Sequence, residues 1–172
     1  MVTVSDEFRE GLLEAIPSLR AFGFSLCGNA TRADDLVQET MVKAWAKHTS
    51  FQPGTNQRAW LFTILRNEFY SQMRKKGREV EDPEGHFEAS LSEKGRQESH
   101  LELQDMKRAL ATLPDDQREA IILVGASGMS YEEAAEICDV AVGTMKSRVS
   151  RARSKLEELL GETVAELAQA AG

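Results

Sequence analysis

Apolar residues recur every three or four positions along most of this chain, and that spacing commits it to helices. Phe8, Leu12, Ile16, Leu19, Phe22 and Leu26 mark one face of a helix over about residues 5–27. Pro17 lies inside that run and can kink or split it, and Gly28-Asn29 stops it. Thr31 with Asp34 reads as the cap of a second helix ending near His48. After the loop TSFQPGTNQ, a third helix starts near Arg58 and continues to about Lys76. Gly77 to about Ser99 breaks the pattern. The segment contains DPEG, is rich in acid and has little apolar periodicity, so it reads as a linker or a loosely ordered segment. Helical spacing resumes near Leu101 and runs through Leu113 before Pro114. Asp115 or Asp116 then caps a helix reading QREAIILVGA, and Gly128 breaks the chain. Ser130 and Glu133 form a capping box for SYEEAAEIC, DVAV makes a turn, and a last helix follows. Ile121-Ile122-Leu123-Val124 could suit a strand, but its flanks assign it to helix. The expected fold is all-α. Two small helical domains, residues 5–78 and 105–162, are joined by an acidic linker at 79–104, and a C-terminal tail occupies 163–172.

The totals narrow the function. The chain has 172 residues and a formal net charge of −7, with 41% hydrophobic residues, enough for real cores. Residues 1–80 hold 11 basic and 9 acidic side chains, 81–104 hold 2 and 7, and 105–172 hold 8 and 12. Such acidity argues against a protein that coats nucleic acid by itself, and permits one brought to DNA by a larger partner. Cys27 and Cys138 each sit in an apolar helical pattern and read as reduced core residues, which fits the cytoplasm. His48, His86 and His100 are scattered, so no zinc site is expected. No phosphate loop, nucleophile–base pair or metal cluster suggests an enzyme or a cofactor. The N-terminus MVTVSDEFRE does not read as a signal peptide, and no stretch nears the roughly 20 apolar residues that span a bilayer.

Against that acidity, GTMKSRVSRARSKL at 143–156 carries Lys146, Arg148, Arg151, Arg153 and Lys155 with no acid among them. On a helix at about 100° per residue, Met145, Val149, Ala152, Leu156, Leu159 and Leu160 share one side. Ser147, Ser150 and Ser154 lie opposite, with cations on both flanks. Small outward side chains let a helix approach base edges, while Arg and Lys reach phosphates and purine acceptors. A short capped helix, a turn and an Arg-rich helix together describe a helix-turn-helix. Ala134 and Ala135 leave room for the helix crossing, and Val140 and Met145 plug the angle. A solvated basic face or a structural hairpin stays open at this point.

Two further faces stand out. In DDLVQETMVKAW (34–45), Leu36, Val37, Thr40, Met41 and Ala44 take a buried side, with Asp35, Gln38 and Glu39 toward the polar side. In WLFTILRNEFYSQMRKK (60–76), Phe62, Leu65, Phe69 and Met73 form the core stripe. Opposite lie Trp60, Ile64, Asn67, Ser71 and Arg74, with Tyr70 and Lys75 at the edges. An aromatic-bearing polar face suits stacking on unpaired bases. Packing of Trp60 and Tyr70 against the first helix or the loop remains the alternative.

Together these stretches resemble bacterial sigma factors of the extracytoplasmic-function type. DDLVQETMVKAW resembles the family's second conserved region, and WLFTILRNEFYSQMRKK the −10-reading and melting region beside it. LPDDQREAIILVGASGMSYEEAAEICDVAVGTMKSRVSRARSKL resembles the fourth, which reads the −35 element. LVGASGMSYEEAAEIC further resembles the alphaproteobacterial general-stress branch. The resemblance implies that 5–78 is sigma domain 2 and 105–162 the helix-turn-helix sigma domain 4. It implies that Asp35, Gln38 and Glu39 meet the clamp helices of the largest polymerase subunit, and that domain 4 meets the flap of the second-largest. It implies that Trp60, Asn67, Tyr70, Arg74 and Lys75 serve the −10 element, and that the TSFQPGTN loop captures a flipped base. Thr144, Lys146, Ser147, Arg148, Arg151 and Lys155 match the −35 helix. The implied partners are core RNA polymerase, promoter DNA and an anti-sigma factor, in the cytoplasm and without a membrane. Two other readings stay open. One is a sigma-like mimic that titrates an anti-sigma factor, which would not need the basic helix. The other is a helix-turn-helix activator, which would not account for DDLVQETMVKAW.

Overall fold

The computed structural model describes residues 3–79 and 99–170, and every regular element within them is helical. Helix α1 spans Asp6–Cys27. The Ser5 side chain accepts the Phe8 N–H at its start, and Gly28 at φ 68° ends it by donating its N–H to the Phe24 carbonyl. A left-handed turn of this kind suits glycine, which has no Cβ to clash. Pro17 sits inside α1 without dividing it. Helix α2, Ala30–Ala46, is capped by Asn29 and not by Thr31. Asn29 is extended just beyond the Gly28 turn, so its side chain reaches the Arg32 N–H at 3.0 Å. Asp34 instead pairs with Arg20 of α1 at 2.8 Å. A 3₁₀ turn at His48–Ser50 and a loop lead to α3, Gln57–Glu79.

These three helices pack around Leu19, Phe22, Leu36, Leu61, Phe62 and Leu65, all essentially inaccessible. The Phe22 and Phe62 rings stack with centroids 4.9 Å apart. Thr40 is buried among them and satisfies its hydroxyl on the Leu36 carbonyl. Met73, expected on the α3 core stripe, is exposed; Phe69 is the last residue of that stripe to be buried.

The second half holds α4 (Ser99–Thr112), α5 (Asp115–Ile121), α6 (Tyr131–Cys138) and α7 (Val142–Ala170). Neither Asp115 nor Asp116 caps α5. Extended Pro114 occupies the cap position, and both acids lie in the first turn, where the helix dipole favours them. The helix expected over QREAIILVGA continues past Ile121 as a wider π turn over Ile122–Ala126. Ser130 and Glu133 do form the reciprocal capping box of α6. Asp139 ends α6 in the left-handed region at φ 54°, where helix-turn-helix turns often carry glycine. Ala134, Ala135, Met145, Val149 and Ala152 are all buried where α6 and α7 cross or face the core. The expected linker falls largely outside the described residues, although α4 already begins within its end. Helix α7 continues to Ala170, through most of the segment expected as a tail.

The halves are not independent. Helix α3 packs on α6 and α1 on α5, so buried residues of both halves join in one apolar cluster.

Candidate nucleic-acid interface

Helix α7 presents its predicted core stripe over the first half only; Leu156, Leu159 and Leu160 are half-buried. Met145, Val149 and Ala152 are inaccessible, whereas Thr144, Ser147, Ser150 and Ser154 are exposed or partly so. Lys146, Arg151 and Lys155 also reach solvent. Lys146 Nζ lies 5.7 Å from the Tyr131 ring centroid, so the first residue of α6 steadies it by a cation–π contact. Arg148 is half-buried, and its Nε lies 3.6 Å from Asp116 on α5. Nothing in the spacing of either helix signals that ion pair.

Helix α3 carries the second face. Trp60 is half-buried, with its ring centroid 5.2 Å from Phe51 and 6.0 Å from Phe8. Both alternatives for Trp60 therefore have a physical basis. It packs on α1 and the loop, and it also lines a cleft of about 480 Å³ with Phe51, Gln52, Asn56, Thr63 and Ile137 of α6. Asn67, Arg74 and Lys75 are exposed. Asn67, Tyr70 and Arg74 share a depression of about 290 Å³ with Arg66, a residue outside the predicted face. Arg66 lies over the Tyr70 ring at 4.6 Å. The loop after α2 borders a separate cavity of about 520 Å³, walled by Phe8, Phe51, Pro53, Thr55 and Gln57.

The third face lies on α2. Asp35, Gln38 and Glu39 reach solvent, whereas Leu36, Val37 and Thr40 are buried beneath them. Val42 and Trp45 are exposed on the same helix, at 64% and 46%. Their spacing from Gln38 and Glu39 is that of one helical face. That spacing is present in the sequence, but both residues sit in a run whose buried side dominates the pattern.

A polar seam joins the halves. Arg66 of α3 pairs with Glu119 of α5, Asn56 bonds Glu133 of α6, and Arg58 donates to the Ser127 carbonyl. Arg118 of α5 is buried; its Nε donates to the Ser25 carbonyl of α1 at 3.0 Å, and its Nη2 meets Asp115 at 2.6 Å. Burial works to lower the Arg66 pKa, but the Glu119 hydrogen bond and charge outweigh it and raise it. Cys138 is pushed up to about 12, by burial first and then by the Glu119 charge, so its thiol stays protonated and inert.

Two carboxylates lie below their ordinary value. Lys43 lowers Glu68, and the Ser130 backbone N–H, with help from Asn56, lowers Glu133. Depressed acids give stability that is fully present above the unfolded value of 4.5 and lost as pH falls through the folded values. The thermal midpoint should therefore fall with acid, beginning near pH 4.5, and Lys43→Met should flatten that fall. A Lys43→Met profile parallel to wild type would contradict it. Among the described residues no group of three His, Cys, Asp or Glu could hold a metal ion. No described helix is long and apolar enough to cross a membrane.

A three-helix unit with an aromatic polar face, followed by a helix-turn-helix with a basic second helix, is the domain order of the sigma-70 class. Residues 12–79 match the model of Sigma-70 region 2, and residues 103–156 match Sigma-70 region 4. The chain is 60% identical over 157 residues to the ECF RNA polymerase sigma factor EcfG of Rhodopseudomonas palustris, covering 91% of this chain and 87% of that protein. The sigma factor RpoE of Bartonella quintana, solved in complex with the anti-sigma factor NepR, superposes with a TM-score of 0.80 at 59% identity, over 91% of this chain and 98% of that one. CnrH, solved with the cytosolic domain of CnrY, gives a TM-score of 0.66 at 30% identity, over 90% and 88%. The chain belongs to the extracytoplasmic-function RNA polymerase sigma factors. It directs promoter-specific initiation by RNA polymerase, and it acts as a transcription regulator.

Proposed function

We propose that this sigma factor serves a general stress regulon in the cytoplasm, without enzymatic activity, through three separate surfaces. Residues 5–78 bind core polymerase and open the −10 element, residues 105–162 read the −35 element, and 79–104 link them. Asp35, Gln38 and Glu39 meet the clamp helices. Trp60, Asn67, Tyr70, Arg74 and Lys75 hold the unpaired −10 strand. Thr144, Lys146, Ser147, Arg148, Arg151 and Lys155 enter the major groove. The general-stress assignment is supported by the likeness to EcfG. The RpoE–NepR complex supports an anti-sigma partner for this chain as well. That partner would bridge both domains and so gain avidity from two weak contacts.

The observation that carries the reading is the solvent-facing serine strip of α7 between exposed cations. A sigma mimic has no use for such a strip, so initiation is favoured over mimicry. Arg148→Ala or Arg151→Ala should cost about 1–3 kcal/mol at one base pair and relax its identity. Lys155→Ala, a phosphate contact, should weaken all promoters alike. Binding of holoenzyme to single-base −35 variants distinguishes these outcomes. Uniform losses for both arginines would reduce them to backbone contacts and overturn the assignment.

A further inference from the structure

Helix α5 contacts Arg66, which borders the proposed −10 face, and Arg148 of the proposed −35 helix. Glu119 holds Arg66, which shares its depression with Asn67, Tyr70 and Arg74. Three residues earlier, Asp116 holds Arg148 of the −35 helix. The two contacts differ in kind. Glu119 is almost wholly buried and reaches across the seam between the halves. Asp116 is half-exposed and stays within its own half.

We propose that α5 is an internal stand-in for DNA: its carboxylates occupy, in the free chain, cations that promoter DNA takes in the open complex, through a phosphate at Arg66 and a base edge at Arg148. The inference rests on the assignment of the α3 and α7 faces to DNA. A carboxylate and a phosphodiester offer a guanidinium the same paired acceptor oxygens and the same charge. Arg66 therefore cannot serve both. Engaging a −10 strand means releasing Glu119, and releasing Glu119 removes an ionic contact of the seam. Closure and DNA binding are thereby linked, because a ligand that favours one state must pull against contacts of the other. Breaking a buried pair from one side leaves an uncompensated buried charge, so loss of Glu119 favours the separated halves. The Arg118 contact to Ser25 and the Asn56–Glu133 bond would then hold the seam with less support. The device would keep Arg66 and Arg148 from unproductive DNA before polymerase arrives.

The test uses the full chain without polymerase. Glu119→Gln should enlarge the radius of gyration in small-angle X-ray scattering. It should also tighten binding of a short fluorescent single strand of mixed sequence by about tenfold, as a released charge pair allows. The log–log salt slope for that strand should steepen by about 0.7, the increment for one more neutralised phosphate. Asp116→Asn should leave the radius unchanged and steepen the slope for a mixed-sequence duplex, where the freed Arg148 has no cognate base and meets a phosphate, by about 0.9. Glu132→Gln, which removes the same charge from an exposed position on α6, should alter neither slope. Circular dichroism checks that each variant folds. An unchanged radius for Glu119→Gln overturns the proposal by removing the latch. A larger radius with unimproved single-strand binding overturns it at a different point, the assignment of the α3 face to DNA. Slopes equal to that of Glu132→Gln would reduce both effects to net charge and would also overturn it.

Discussion

Replacing Asp35, Gln38 and Glu39 together with alanine should abolish the hold on core polymerase at working concentrations while leaving the fold intact. The three side chains reach solvent, and the residues that anchor α2, namely Leu36, Val37, Thr40 and Ala44, point the other way. Alanine is also a better helix former than the residues it replaces, so α2 loses nothing locally. Truncating interface anchors costs about 2 kcal/mol or more, roughly thirtyfold in affinity. Val42 and Trp45 extend the same face with exposed apolar surface, which fits the centre of an interface. Equilibrium binding of labelled chain to core enzyme is the measurement. Retention of wild-type affinity by the triple variant would move the polymerase contact elsewhere.

Trp60→Ala should keep core binding and duplex −35 recognition but form few open complexes. Trp60 and Asn67 lie about 20° apart around α3, so one face presents both. The ring is already set against Phe51 and Phe8, which fixes its orientation before a base arrives. Stacking of a base on such a ring is worth about 1–3 kcal/mol, so a loss of roughly tenfold or more in melted promoter is expected. Permanganate reactivity of the −10 thymines reads this directly. Undiminished reactivity would assign Trp60 to the aromatic cluster alone.

The local pattern of the fold is legible in the residues. The spacing of Phe8, Leu12, Leu19 and Phe22 predicts the buried side of α1, and Ser130 with Glu133 predicts the start of α6. Caps are legible only where a side chain has no rival. Thr31 loses its place to Asn29 because the Gly28 turn sets Asn29 extended, which no periodicity reveals. The aspartates after Pro114 lie inside the first turn, past the cap position. The serine strip of α7 follows from helical geometry alone. The seam does not, because Arg118 and Glu119 sit beside Ala120 in a run that reads as an ordinary helix start. Their partners, Ser25 and Arg66, lie 93 and 53 positions away, and long-range pairing leaves no local trace. Arg66 is inconspicuous for the same reason: it belongs neither to the core stripe nor to the centre of the opposite face.

Promoter-specific initiation by this chain is tested most directly by run-off transcription by core polymerase on a pooled library randomised at both promoter elements, with wild-type chain and with Arg151→Ala. Transcripts should depend on the chain and carry two conserved blocks, with the variant relaxing a single base pair of the −35 block and leaving the −10 block intact. Selection of the same sequences by both proteins, or a relaxation spread evenly over both blocks, would contradict that expectation.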